Sequence, residues 1–103
     1  MKILTIETIP NRNYKALDIV KGTVVYSKNF GRDFMAGMKT LVGGEIVGYT
    51  EMLNEARQIA TKRMVDAAEA LGADAIVGAR YASSSVMQGA AEVVAYGTAV
   101  KFL

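Results

Sequence analysis

The sequence predicts an α+β fold, with an antiparallel sheet of three to four strands covered on one face by one long and one short helix in the order β-β-α-α-β-β. Three observations carry this. One long stretch, Tyr49 to Leu71, has helical periodicity; β-rich segments flank it in pairs; and turn residues divide each pair.

In the long stretch, apolar residues recur at Leu53, Ala56, Ile59, Ala60, Met64, Ala67, Ala68 and Leu71, steps of three and four that trace one helical face. Glu51, Asn54, Glu55, Gln58, Thr61, Lys62, Asp66 and Glu69 fall mostly on the other face. Thr50 is placed to cap the start, Glu51 to oppose the positive end of the helix dipole, and Gly72 to close the end in a left-handed conformation. The alanine-rich face allows a close-packed partner, for which a sheet is the natural candidate.

In chain order, Lys2 to Thr8 reads as a short strand and Pro10-Asn11-Arg12-Asn13 as a turn. Tyr14 to Tyr26 is a longer strand, with Gly22 marking a bulge or bend. Phe30, Phe34, Met35, Met38, Leu41 and Val42 recur at helical spacing and predict a short helix over Phe30 to Thr40. Gly43-Gly44 punctuates, and the long helix begins at Val47 or slightly later. Ala75 to Ala82 and Ala91 to Phe102 are the last strands, with Ser83-Ser84-Ser85 and Gln88-Gly89 bracketing a hairpin loop.

The 103 residues correspond to one domain, with no internal repeat, linker or low-complexity tract. With no cysteine, disulfides and thiolate metal sites are excluded; with no histidine, the commonest general base and metal ligand are missing too. No apolar run reaches the ~18 residues of a membrane span, and the start MKILTIETIP is short for a signal peptide, so a cytoplasmic protein is expected. The net charge of +2 comes from scattered basic residues, which argues against nucleic acid as a partner.

The last strands carry few polar positions. Ala91, Val93, Ala95, Gly97, Ala99 and Lys101 alternate with Glu92, Val94, Tyr96, Thr98, Val100 and Phe102, and neither set is convincingly polar. A helical layer on one side cannot cover both faces of such a sheet. The chain is therefore expected to pack its second face, or its sheet edges, against copies of itself.

Arg32-Asp33, LVGGE (Leu41 to Glu45), Tyr49 with the helical pattern through Ala56-Arg57 and Ala60, LGADAIVG (Leu71 to Gly78) and AYGTAV (Ala95 to Val100) together resemble the YbjQ-like family across essentially the whole chain. The resemblance implies a dodecin-subunit-like fold, assembly into a ring, with a homopentamer as the implied form, and a label of heavy-metal binding. It implies no established reaction.

Each candidate site has two readings. Gly43 and Gly44, ahead of a helix N-terminus, can let a phosphate or carboxylate reach free amides, or can simply turn the chain. Arg57, two turns from Tyr49, can clamp an anionic small ligand with that phenol, or form an ion pair at a subunit seam. Arg32 and Asp33 divide in the same way, with Asp33 also able to neutralise a first helical turn. Glu51 and Glu55, four apart, can offer oxygen ligands to a divalent metal ion, or form a solvated acidic face. Met35 and Met38 can offer thioethers to Cu(I), or fill a core. The serine triplet has no base to activate it. The functions in view are thus a ring-forming binding or scaffold protein of unknown ligand, a carboxylate-based divalent or heavy-metal binder, and a small-molecule enzyme with a site between subunits.

Overall fold

The structure, a computed structural model, describes residues 1–27, 41–42, 45–87 and 90–103. The elements are β1 (Lys2–Ile3), β2 (Tyr14–Ser27), β3 (Leu41–Val42), β4 (Glu45–Ile46), α1 (Val47–Ala70), β5 (Ala75–Met87) and β6 (Ala90–Phe102). Four strands form one sheet in the order β1-β5-β6-β2, and β3 pairs with β4 as a separate short ribbon leading into the helix.

This corrects the expected architecture in two respects. The sheet and its helix run β-β-α-β-β, with a single helix among the described residues; the short helix expected over Phe30 to Thr40 falls outside them. The sheet is also mixed rather than antiparallel, because β1 runs parallel to β5 through Lys2↔Ala75 and Ile3↔Ile76. The reason lies in the segment between β1 and β2. Since β5 and β6 separate those two strands, this segment must cross the sheet instead of reversing as a hairpin. It crosses on the face away from α1, where Ile9, Tyr14 and Phe102 close over buried Ala75, Val77 and Val100. Asn11 takes a left-handed φ of 60° in the turn, the Tyr14 hydroxyl donates to the Glu7 carbonyl at 3.0 Å, and Arg12 stacks 4.0 Å from the centre of the Phe102 ring. One end of the second sheet face is thus covered by the chain itself.

The main core lies between α1 and the opposite face. Met52, Ala56, Ala60, Met64 and Ala68, each four residues from the last, are the buried stripe of the helix. Ala56, Ala60, Met64 and Ala68 of this stripe cluster with Val20, Ile76, Ala79, Val93, Ala95 and Ala99 of the sheet. Fully buried Met64, Ile76 and Val93 each contribute roughly 1.5–3 kcal/mol of apolar burial. Leu71, read from the sequence as part of the inner face, is exposed instead.

Gly22 does not bend β2. Its pairing is regular from Asp18 to Ser27, and the irregularity falls earlier, between Ala16 and Asp18. Gly22 serves close approach: a Cβ built there would collide with the Ala60 carbonyl oxygen and the Met64 amide, and would lie 2.8 Å from the Arg63 Cβ. The glycine and the alanine stripe together let the helix lie directly against the strand backbone.

The end of α1 follows the sequence expectation. Gly72 sits at φ 76°, its amide donating to Glu69 O at 2.9 Å, while the Ala73 amide donates to Ala68 O at 3.1 Å. This is the Schellman pattern that satisfies the last helical carbonyls. α1 begins at Val47, the earlier of the expected starts, so Thr50 lies within the helix instead of capping it and Glu51 falls beyond its first turn.

The β5–β6 hairpin holds the remaining corrections. Its register breaks between Val77 and Arg80, where Gly78 takes φ 62° and the Gly78 and Ala79 amides donate to Ile6 O and Leu4 O. This bulge reverses the facing of β5. Val77 lies on the face away from α1, Ala79 belongs to the helix-side core, and the Tyr81 hydroxyl reaches the helix residue Thr61. Simple alternation over Ala75 to Ala82 therefore misassigns the faces. Ser83 to Ser85 are not a loop but pair with Val93, Glu92 and Ala91. Backbone pairing, indifferent to the serine side chains, carries the strands on to Met87 and Ala90.

Candidate functional site

Asn54, Arg57 and Gln58, then Thr61 and Lys62, are linked by spacings of three and four residues, so α1 presents them as one polar stripe. Tyr81 of β5 stands against that stripe, and the six residues line an open cleft of about 580 Å³. This volume lies within the usual range of small-molecule sites.

Hydrogen bonds order the cleft. Arg57 Nη2 donates to Asn54 Oδ1 at 2.6 Å, which fixes the guanidinium along the helix surface. Thr61 Oγ1 donates to the Arg57 carbonyl at 2.7 Å and lies 2.7 Å from the Tyr81 hydroxyl. The single threonine proton is committed to the carbonyl, so the phenol is the donor in the second contact. Tyr81 thereby pins the strand to the helix and leaves its oxygen as an acceptor facing the cleft. Lys62 pairs with Asp66 at 3.1 Å, with both side chains largely exposed. Among the described residues, no carboxylate lines the cleft.

The structure treats the residues singled out from sequence unevenly. Arg57 is in the cleft, where the phenol among the described residues is Tyr81. Tyr49 belongs to the first turn of α1, and its side chain lies outside the described residues, as do Gly43, Gly44, Arg32, Asp33, Met35 and Met38. Glu51 and Glu55 are exposed on α1, one turn apart. Among the described residues, no group of three Asp, Glu, His or Cys side chains stands together to hold a metal ion. Two exposed carboxylates are a poor match for a heavy metal, which favours thiolate and imidazole donors that this chain does not possess. Among the described residues, no helix is long and apolar enough to cross a membrane.

The stripe of Asn54, Arg57, Gln58, Thr61 and Lys62 was available in the helical spacing, but the spacing alone does not separate it from an ordinary solvated face. Tyr81, twenty residues beyond Thr61, marks it out, and only the folded sheet brings it there.

Away from the cleft, Asp74 fastens the last strand. It accepts from the Phe102 amide at 2.8 Å and pairs with Lys101 at 3.5 Å. The Phe102 amide bond holds its carboxyl below the usual range; partial desolvation opposes this, and the charges of Lys101 and Arg12 add to it.

Comparison with known proteins places these features in context. The profile of the YbjQ family, described as "Putative heavy-metal-binding", matches residues 1–103. A UPF0145 protein of Clostridium novyi is 54% identical over 103 residues, covering 100% of both chains. A UPF0145 protein of Thermotoga maritima is 60% identical over 102 residues, covering 98% of this chain and 96% of its own. A crystal structure of a protein of unknown function from the DUF74 family of Pediococcus pentosaceus superposes with a TM-score of 0.71 at 20% identity, covering 100% of this chain and 98% of that one. At that identity the likeness establishes the fold.

Proposed function

The chain belongs to the YbjQ family, and from that premise we propose that it works as a small homo-oligomeric, ring-forming protein that binds or scaffolds a small ligand. The observation that carries this is the part of the second sheet face that the chain leaves open. Beyond the cover of Ile9 and Phe102, Ile19 is 71% exposed, Val25 57% and Tyr96 37%. On the hairpin arm, Val86 and Met87 are exposed at 53% and 67%. Lys21 and Thr23 alternate with Ile19 and Val25 on the same face, Lys21 directly opposite Tyr96, so the face is mixed, and its exposed apolar members favour a protein partner over water. The hairpin arm of β5 is exposed from Arg80 to Met87, so among the described residues it does not fold back on the core. Among the described residues the 14-residue β2 also forms one edge of the sheet, where Arg63 already takes the Thr23 carbonyl and Asp18 the Ile19 amide, leaving the remaining edge groups for a neighbouring strand.

Native mass spectrometry at micromolar concentration tests the reading. A multiple of the 11.0 kDa subunit mass is expected, five-fold for the pentamer. A monomer at that concentration overturns it. The family's metal description does not alter this reading, because the donor set described above supplies two exposed carboxylates and no third acidic ligand among the described residues.

A further inference from the structure

We propose that the cleft between α1 and β5 binds the phosphate group of a small organic phosphate. This deepens the binding half of the function proposed above and is independent of the assembly half, since every residue it uses belongs to one chain. Among the described residues the cleft is lined by two cations and two amide side chains and by no carboxylate, with Asp66 beside it paired to Lys62. Arg57 is already oriented by Asn54, so its fork enters a complex with less freedom to lose than a free arginine. Its bond to Asn54 uses one of five N–H donors, leaving the others for oxygen atoms of a ligand. Gln58 and Asn54 offer amide N–H groups beside it.

Lys62 supplies the second charge. Its ion pair with Asp66 is exposed, and such pairs are worth only about 0.2–1 kcal/mol, so the ammonium is free to turn toward a ligand anion. Two cations match a doubly charged phosphate monoester better than a singly charged carboxylate. The Tyr81 oxygen, its proton donated to Thr61, accepts from a hydroxyl carried next to the phosphate. That feature favours an organic phosphate over the free ion.

Calorimetric titration of the intact protein with glycerol phosphate and with inorganic phosphate, at low salt and pH 8, tests the proposal. Glycerol phosphate should saturate with a Kd of about 1 mM or tighter, as expected for an open site, and inorganic phosphate should bind several-fold more weakly. Arg57→Gln should weaken glycerol phosphate about tenfold and Lys62→Gln about threefold, while Lys15→Gln, an exposed charge on β2, should leave it unchanged. Lys62 is exposed enough that its substitution leaves the fold intact, so the test stands even if the Arg57 variant is unstable. Absence of saturation by about 10 mM, equal weakening by Lys15→Gln, or inorganic phosphate binding as tightly as the ester overturns the proposal. None of these outcomes bears on the subunit count.

Discussion

Gly22→Ala is the sharpest probe of the close contact between α1 and β2. One methyl group is added where the Ala60 carbonyl oxygen and the Met64 amide already lie within bonding distance of the new carbon. Neither obstacle is a flexible side chain, so neither can rotate away; the helix itself must retreat from the strand. Retreat loosens the stripe of Ala56, Ala60 and Met64, all essentially without solvent exposure. Gly22 does not have a positive φ, so alanine faces no backbone strain there. Away from the collision, the substitution should gain about 0.4–1 kcal/mol by restricting the unfolded chain. Overpacking of a tight core costs about 1–3 kcal/mol, and backbone obstacles place this site at or beyond the upper end. The expected net loss is about 2 kcal/mol. With a urea m-value of about 1–3 kcal/mol/M, the midpoint should fall by roughly 0.7–2 M. Urea unfolding of both proteins at one fixed concentration, followed by helical circular dichroism, measures it. An unchanged or higher midpoint would show that the helix does not lie on the strand backbone, and the account of the core would fail with it.

Three further outcomes are expected. Gly72→Ala places a Cβ at φ 76° in open space, so the cost is conformational alone, about 1–2 kcal/mol in thermal unfolding; a neutral result would deny the left-handed closure of α1. Asp74 has its pKa lowered from 3.8 in the folded state, so the unfolded chain binds more protons just below that value. Its contribution is therefore present above about pH 3.8 and is lost as pH falls through the lower folded pKa; the stability gap between the natural chain and Asp74→Asn should shrink in that window, and a gap constant from pH 7 to pH 2 would contradict the assignment. Ile19→Asp, on the exposed face at 71% accessibility, should lower the assembled mass in native mass spectrometry while the helical signal is retained; an undiminished assembly would remove this face from the subunit contact.

The candidate site was only partly legible from sequence. Arg57 stood out by its chemistry and its polar neighbours by their spacing, while Tyr49, the phenol expected beside it, has a side chain outside the described residues. Sequence did not point to Tyr81, which bonds Thr61 in the same cleft and is delivered by a bulge at Gly78 and Ala79 that shifts the facing of β5. That shift breaks the period-two rule on which the sequence reading depended. The serine triplet misled for a related reason: side-chain character suggested a loop, whereas strand pairing uses the backbone alone.

By itself, the sequence determined what depends on neighbours a few residues apart. The long helix, its closure at Gly72, the main flanking strands and the exclusion of cysteine and histidine chemistry follow from local period, backbone freedom and residue type. Tertiary structure decided what depends on distant partners. Pairing of β1 with β5 carries the next segment across the sheet and seals one end of its second face with Ile9. Contact between α1 and β2 turns Gly22 from an apparent bend into a place of close approach. Such pairings are chosen by the total apolar surface buried and backbone bonds satisfied, sums over the folded chain that no short window of sequence contains.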